Sequence, residues 1–500
     1  MTNDLVDAGS VASEGFERLE LPKMTPLSLF LKFGPGIVLM MTGIGTSHLI
    51  TAPTAGGRFA YALLWCIPIA YVFKYYGFEM AFRFTNATGK SMIEAYGTAW
   101  KKWPLWYVLV TTLLQCAVGQ AGRLIAASAV LYYFTTQSFG LDIPLLWFAL
   151  LLGCVAVLII LRGDYRAVEI VAKTAAAGLV FSTILVYFVR PAPLSAMGHF
   201  FIFETPQGSW LIIAAFLGLL PTGIDVSLQA SEWGKARKVG LGRIRADLEK
   251  AGLAPRFDPF GPKKSDLAVD MSQLPAHARE YCRRWFTICL WDFRVGHVVS
   301  FVLAVVFLLL AAVWLYPSPV EGRAVMGEIG KMFTESVGPW MMIVFLVGAF
   351  AATYSTAFNY FDGWPRIVGA CCRNIFKTTA GLSGIGREDL TPERRRKWYS
   401  EYNIYRITMI YSLVASVTII AGVPSPVYLV LVASAMALFV APVIFFLNLH
   451  YCLTVIPRED KAFYPAAWER AFAWGSLVVF TGLSVILIFA RVLKIPLFGA

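Results

Sequence analysis

Two short stretches concentrate the groups in this chain that could hold a small ion. The first, "TGIGTSHLI" (Thr42 to Ile50), packs two glycines, three hydroxyls and an imidazole into nine residues; the second, "LPTGIDVS" (Leu220 to Ser227), joins Pro221, Thr222 and Gly223 to the carboxylate of Asp225. Both interrupt strongly apolar runs. Glycine lowers helix stability and proline removes a backbone donor, so each stretch predicts a broken helix. Inside hydrocarbon, broken backbone survives only where protein or a watery cavity surrounds it. The freed groups would line a site at mid-membrane, where half-helix N-termini attract negative charge and carbonyl ends attract cations. Candidate substrate contacts are Gly45, Thr46, Ser47, His48, Pro221, Thr222, Gly223 and Asp225, with N–H groups near Gly223 and Ile224. The plainer alternative is a pair of kinks packed on small residues such as Gly34, Gly36, Ala55 and Gly56.

Ionisable residues in apolar segments point to function or to a buried partner. Arg58, Lys74, Glu79 and Arg123 are the candidate charge partners, and Arg58 is expected to pair with Glu79 or Asp225. Asp292, His297, Asn448 and His450 read as interfacial or hydrogen-bonded structural groups rather than proton carriers. In "FAATYSTAFNYFDGWPR", Ala352, Ser355 and Thr356 stand at i, i+3 and i+4 and share one helical face. The "DGWPR" ending, Asp362 to Arg366, is expected to close that helix at the cytoplasmic face.

The elements that must position these groups are membrane helices. The 500 residues are 58% hydrophobic and only 15% charged, beyond what an ordinary soluble domain carries. Apolar runs predict an all-α membrane protein with about eleven transmembrane helices: 28–60 (interrupted), 62–82, 104–134, 145–161, 167–189, 210–233 (interrupted), 286–316, 338–360, 403–422, 426–451 and 467–491. The net charge of +12 clusters in alternate loops, an orientation signal rather than a nucleic-acid surface. "KKW", "RGDYR", Lys235 to Arg284 and Arg387 to Lys397 then face the cytoplasm, with the N-terminus inside. An integral protein of the bacterial inner (plasma) membrane is expected.

No soluble chemistry competes with this reading. "ATGKS" (Ala87 to Ser91) lacks the glycine that a phosphate-binding loop needs at position 84, which is Phe84, so no nucleotide partner is expected. The eight cysteines lack CxxC spacing and read as small buried hydrophobes. No removable signal peptide is visible, and no HExxH, GxSxG or carboxylate pair in a soluble cleft suggests an enzyme or a resident cofactor. The loop after the sixth helix, with its mixed charges, reads as a surface element.

"GPGIVLMMTGIGTSHLITAPTAGGRFAYALLW" resembles the first helix of the Nramp (natural resistance-associated macrophage protein) family, and "TGKSMIEAY" resembles the segment after its second. The resemblance implies a LeuT-type 5+5 inverted repeat: a cytoplasmic tail at 1–27, a first repeat at 28–189, a second at 190–451 carrying the insert 235–285, and a final helix with the C-terminus at 452–500. It also implies alternating access between broken helices one and six. The metal ligands are not preserved. Metal-transporting relatives read Asp-Pro-Gly-Asn where this chain has Gly45-Thr46-Ser47-His48, and Met-Pro-His where it has Leu220-Pro221-Thr222.

That departure leaves hydroxyls, one imidazole and backbone groups, none of the usual transition-metal ligand set. A small inorganic anion such as bicarbonate suits such donors better, with the lipid bilayer as the other partner. Resemblance to Na⁺-coupled transporters of this fold adds Na⁺ symport, with Ala352, Ser355 and Thr356 meeting carbonyls near Gly43 and Thr46. Two alternatives stay open: a divalent metal transporter rebuilt around His48 and Asp225, and a receptor or channel on the same scaffold.

Overall fold

The structure is a computed structural model that describes residues 19–26, 28–29, 45–163, 166–258, 262–318, 320–323, 325–376 and 400–492. Gly43, the apolar run before it and the Arg387 to Lys397 segment lie outside the described residues. Those described form helices and connecting loops, with no strand among them.

We number the long helices in chain order. The described part of α1 is a π-turn at Ser47–Thr51 continuing into Ala52–Phe59. Then follow α2 (Cys66–Thr88), α3 (Trp103–Leu114 and Gln120–Phe139 joined by a π-turn at Gln115–Gly119), α4 (Leu145–Arg162) and α5 (Arg166–Val189). The second half has α6a (Trp210–Leu219), α6b (Val226–Ala236), α7 (Ala276–Trp314), α8 (Met341–Phe376), α9 (Glu401–Gly422), α10 (Pro426–Val455) and α11 (Ala467–Val492).

Seven of these pass as membrane spans by length and composition: α3, α4 and α7 to α11. The others fall short for physical reasons. In α2, Lys74, Glu79 and Arg83 dilute the apolar run, yet all three are buried, so helical neighbours rather than lipid surround them. The sixth helix is cut into two short pieces.

Local sequence explains the irregularities. Pro53 cannot donate to the carbonyl four residues back, and the widened turn Ser47–Thr51 lies directly before it. The first stretch is therefore helical from Thr46 onward, with φ −61° and ψ −34°, rather than extended. At the sixth helix Leu220 is extended (φ −90°, ψ 131°), as a residue before proline prefers, and the helix resumes only at Val226.

One expectation is overturned in α8. "DGWPR" does not close the helix, which runs through Pro365 to Phe376. The lost backbone bond is tolerated because the segment is tied on three sides. Asp362 accepts from Arg366 one turn on (2.7 Å), from the Tyr405 hydroxyl of α9 (2.6 Å) and from the Trp233 indole of α6b (3.1 Å).

Packing puts α8 and α10 at the centre. α8 lies against α3, α5 and α9, whereas α10 lies against α2, α3 and α6a; α7 packs along α1. The insert is folded onto one end of the bundle, hereafter the insert face. There the Arg245 guanidinium donates to the Thr88 carbonyl at the end of α2 and to Leu267 (3.1 Å) and Asp266 (2.6 Å) in the insert.

Candidate functional site

The break in the sixth helix frees backbone carbonyls inside the bundle, and a side chain from α2 takes them. Lys74, fully buried, places Nζ 2.8 Å from the Gly218 carbonyl and 2.7 Å from those of Leu220 and Thr222. Three donors of one ammonium thus satisfy three acceptors at the negative end of α6a. The carbonyl end expected to attract a free cation already holds a tethered one.

The far side of the break carries the opposite charge. Asp225 occupies the N-cap position of α6b, where the helix dipole favours a carboxylate. Arg123 and Lys74 are the cations acting on it, and the Trp364 indole of α8 lies beside it. Gly223 leaves room for that carboxylate: a methyl added here would overlap Asp225 Oδ1, so the side chain would have to move, and would press on Ala437 at 3.3 Å.

Arg123 is held from below and above. Its Nη1 donates to the Gly119 carbonyl in the α3 π-turn (2.7 Å), while its guanidinium lies 3.7 Å from the centre of the Tyr360 ring and 4.8 Å from that of Trp364. The Tyr360 hydroxyl meets the Thr222 hydroxyl at 3.1 Å. Thr222 therefore serves both halves, its carbonyl holding Lys74 and its hydroxyl facing Tyr360. Sequence reasoning missed Tyr360 and Trp364; their i, i+4 spacing on α8 was the available signal.

The first stretch divides its residues differently. His48 Nδ1 lies 3.1 Å from Ser47 Oγ, and Nε2 lies 3.0 Å from the Tyr71 hydroxyl of α2 and 3.0 Å from both the carbonyl and the hydroxyl of Ser300 in α7. The imidazole thus ties α1 to α2 and α7, on a different set of partners from the Lys74, Arg123 and Asp225 cluster. The turn itself packs on α6a, α7 and α10, so the two interrupted segments are neighbours.

Gly45 lies against α8. A methyl added there would overlap the Thr356 hydroxyl and sit 3.0 Å from its Cβ. The hydroxyls of Ser355 (3.2 Å) and Thr356 (2.7 Å) both donate to the Ala352 carbonyl. The face of α8 singled out by its spacing thus meets the first helix at one residue, where Thr356 lies against Gly45.

The charge partners require a correction. Arg58 pairs with Glu321 in the loop after α7, both half exposed, and with neither Glu79 nor Asp225. Its place near the end of α1 puts it at the face opposite the insert. Glu79 instead accepts from Arg83 one turn along α2 (2.5 Å), and Arg83 also reaches Glu469 of α11 (3.2 Å). Asn448 is structural as expected, donating to Gly77 and Ser227 (2.8 Å each) and accepting from Tyr96 (2.7 Å). His297 similarly contacts the Tyr71 carbonyl at 3.1 Å.

Between this cluster and the insert face runs a buried polar line on α6b: Asp225, Gln229 and Glu232 at i, i+4 and i+7. It ends at a knot of charges. Glu94, on the short helix Met92–Tyr96, pairs with Lys235 at the end of α6b and lies 3.6 Å from Arg373 of α8, which binds Glu401 of α9 at 3.1 Å. Burial pushes the Glu94 carboxyl up, but Lys235 and Arg373 outweigh it and hold it at about 2.

Comparison with known proteins agrees with this architecture. The model of the Natural resistance-associated macrophage protein-like family matches residues 36–490. An uncharacterised protein of Pasteurella multocida (strain Pm70) is 21% identical over 356 residues, covering 69% of this chain and 72% of its own. Among solved structures, a manganese transporter of Eremococcus coleocola superposes with a TM-score of 0.57 at 15% identity, covering 96% of this chain and 91% of that one. Mhp1, a nucleobase-cation-symport-1 family transporter in a closed conformation, gives 0.52 at 13% identity, covering 93% and 94%. These neighbours share the LeuT-type fold, and the chain is an integral membrane transporter rather than an enzyme. It belongs to the Nramp family.

Proposed function

We propose that this secondary transporter carries a small inorganic anion, such as bicarbonate, by alternating access around the broken sixth helix. The observation that carries the reading is the make-up of the buried cluster: two basic side chains, Lys74 and Arg123, gathered near one carboxylate, Asp225. A buried excess of positive charge is costly unless an anion joins it. Hydroxyl donors at Thr222 and Tyr360 and the N-terminus of α6b supply the remaining contacts. Na⁺ is the proposed coupling ion, held by Ala352, Ser355 and Thr356 of α8 together with carbonyls near Gly43 and Thr46 of the first helix. The basic character of the insert supports a cytoplasmic orientation for that face by the positive-inside rule, and a bacterial inner membrane is the proposed location.

Transport of a divalent metal, as named for the Eremococcus coleocola relative, finds less support in the donor set. Lys74 takes the helix-six carbonyls, and the imidazole of His48 is engaged by Ser47, Tyr71 and Ser300. The test is uptake into proteoliposomes of labelled bicarbonate and of Mn²⁺, each with and without an inward Na⁺ gradient. Na⁺-dependent bicarbonate accumulation is expected. Mn²⁺ uptake that His48→Ala abolishes, with no anion flux, would overturn the reading.

A further inference from the structure

Away from the central cluster, a cavity of about 620 Å³ opens at the insert face between α2, α7 and the start of α11. Its volume falls within the roughly 300–1,000 Å³ of small-ligand sites. Six cations line it: Arg83, Arg283, Arg294, Arg458, Lys461 and Arg470. Glu469 is the carboxylate among the lining residues.

Two of the six are neutralised by neighbours. Arg83 is committed to Glu79, Glu469 and the Phe463 carbonyl, and Arg283 binds Glu280 at 2.8 Å. The other four have no ion-pair partner among the described residues. Arg294 spends its Nε on the Tyr75 hydroxyl (3.0 Å), and Arg470 spends one terminal nitrogen on the Pro465 carbonyl (3.1 Å). Arg458 and Lys461 extend from the exposed loop between α10 and α11.

The same cavity has an apolar side, Phe286 and Leu290 of α7. Close by in sequence, Trp291, Trp468 and Phe472 are 48%, 66% and 43% exposed on the outside of the bundle. Exposed tryptophan beside clustered arginine marks the depth of lipid headgroups. Basic pockets between membrane helices at that depth take phosphate groups.

We propose that this cavity is a binding site for a phosphate-bearing anion, with the headgroup of an anionic phospholipid as its source. The phosphate is held by the terminal nitrogens of Arg294 and Arg470 and by Arg458 and Lys461, while the glycerol and acyl portions lie along Phe286 and Leu290. The site bridges α2, α7 and α11, three helices that meet at the insert face.

The test uses the full chain purified in neutral detergent. Thermal unfolding followed by tryptophan fluorescence is compared after adding phosphatidylglycerol, phosphatidylcholine or inorganic phosphate at matched ionic strength, and bound lipid is counted by native mass spectrometry. Phosphatidylglycerol is expected to raise the unfolding temperature and to remain bound, and phosphatidylcholine to do neither. The double variant Arg458→Gln with Lys461→Gln, both exposed and outside the core, is expected to weaken apparent affinity by about tenfold or more. Arg294→Gln should weaken it independently. Equal stabilisation by inorganic phosphate would keep the site and make its source soluble. Equal effects of the two lipids, or an unchanged response in the variants, would overturn the proposal.

Discussion

Lys74 of α2 caps the severed end of α6a, its ammonium within 2.8 Å of the carbonyls of Gly218, Leu220 and Thr222. The relationship couples a charged side chain to a helix break whose buried carbonyls would otherwise lose a protein donor. Lys74→Met should therefore destabilise the fold, since each buried carbonyl left without a donor costs about 1–3 kcal/mol. Lys74→Arg should not restore stability, because a planar fork cannot aim three donors at three converging carbonyls. Thermal unfolding of the two variants measures this, and wild-type stability of either would refute the role of Lys74.

Arg123 is the second buried cation and is held by its stacking on Tyr360. Arg123→Gln should lower bicarbonate uptake at least tenfold by removing the charge, a loss of about 1.4 kcal/mol or more. Arg123→Lys should recover little, since an ammonium does not stack as a guanidinium does. Initial uptake rates against substrate concentration test it; unchanged uptake in Arg123→Gln would separate this residue from the substrate.

At the α1–α8 contact, Ser355→Ala with Thr356→Ala should abolish the Na⁺ dependence of uptake while leaving the fold intact. Gly45→Ala acts on the same contact by crowding the Thr356 hydroxyl, and overpacking of this kind costs about 1–3 kcal/mol. Flux that stays equally Na⁺-dependent in the double variant would remove the coupling site.

His48 behaves in the structure as a tie between α1, α2 and α7. His48→Ala is expected to destabilise by about 1–3 kcal/mol, because Tyr71 and Ser300 lose a buried partner. Substrate preference between bicarbonate and Mn²⁺ should not change. A switch in preference, measured by competition uptake, would instead place His48 at the substrate.

The charge knot at the insert face has a defined pH response. Glu94 is held at about 2 in the folded chain against its ordinary value of 4.5, so its stabilising contribution is fully present above pH 4.5 and is lost as pH falls toward 2. The Glu94 carboxylate should thus stay ionised, and the knot insensitive to pH, between about pH 5 and 7, below the range where Lys90 beside it, lowered to about 8 by burial, begins to lose its proton. Glu94→Gln should loosen this charge knot at all these values, seen as faster hydrogen exchange in Met92–Tyr96 and in α6b.

Much of this molecule was legible from residues alone. Apolar run lengths and the glycine and proline punctuation of "LPTGIDVS" determined the helices and the break in the sixth, since both follow from local backbone chemistry. The family-like motifs pointed to the fold, and the i, i+3, i+4 spacing of Ala352, Ser355 and Thr356 identified a face of α8 that does meet Gly45. Pairing was not legible. Sequence offered Arg58 to Glu79 or Asp225, whereas packing gave it Glu321 and sent Lys74 into the helix break. It also turned His48 toward Tyr71 and Ser300, and set Tyr360 and Trp364 over Arg123. A local pattern determines whether a segment is helical and which residues share its face. Which charge meets which carbonyl depends on the rotation and depth of helices far apart in the chain, and only their tertiary packing decides that.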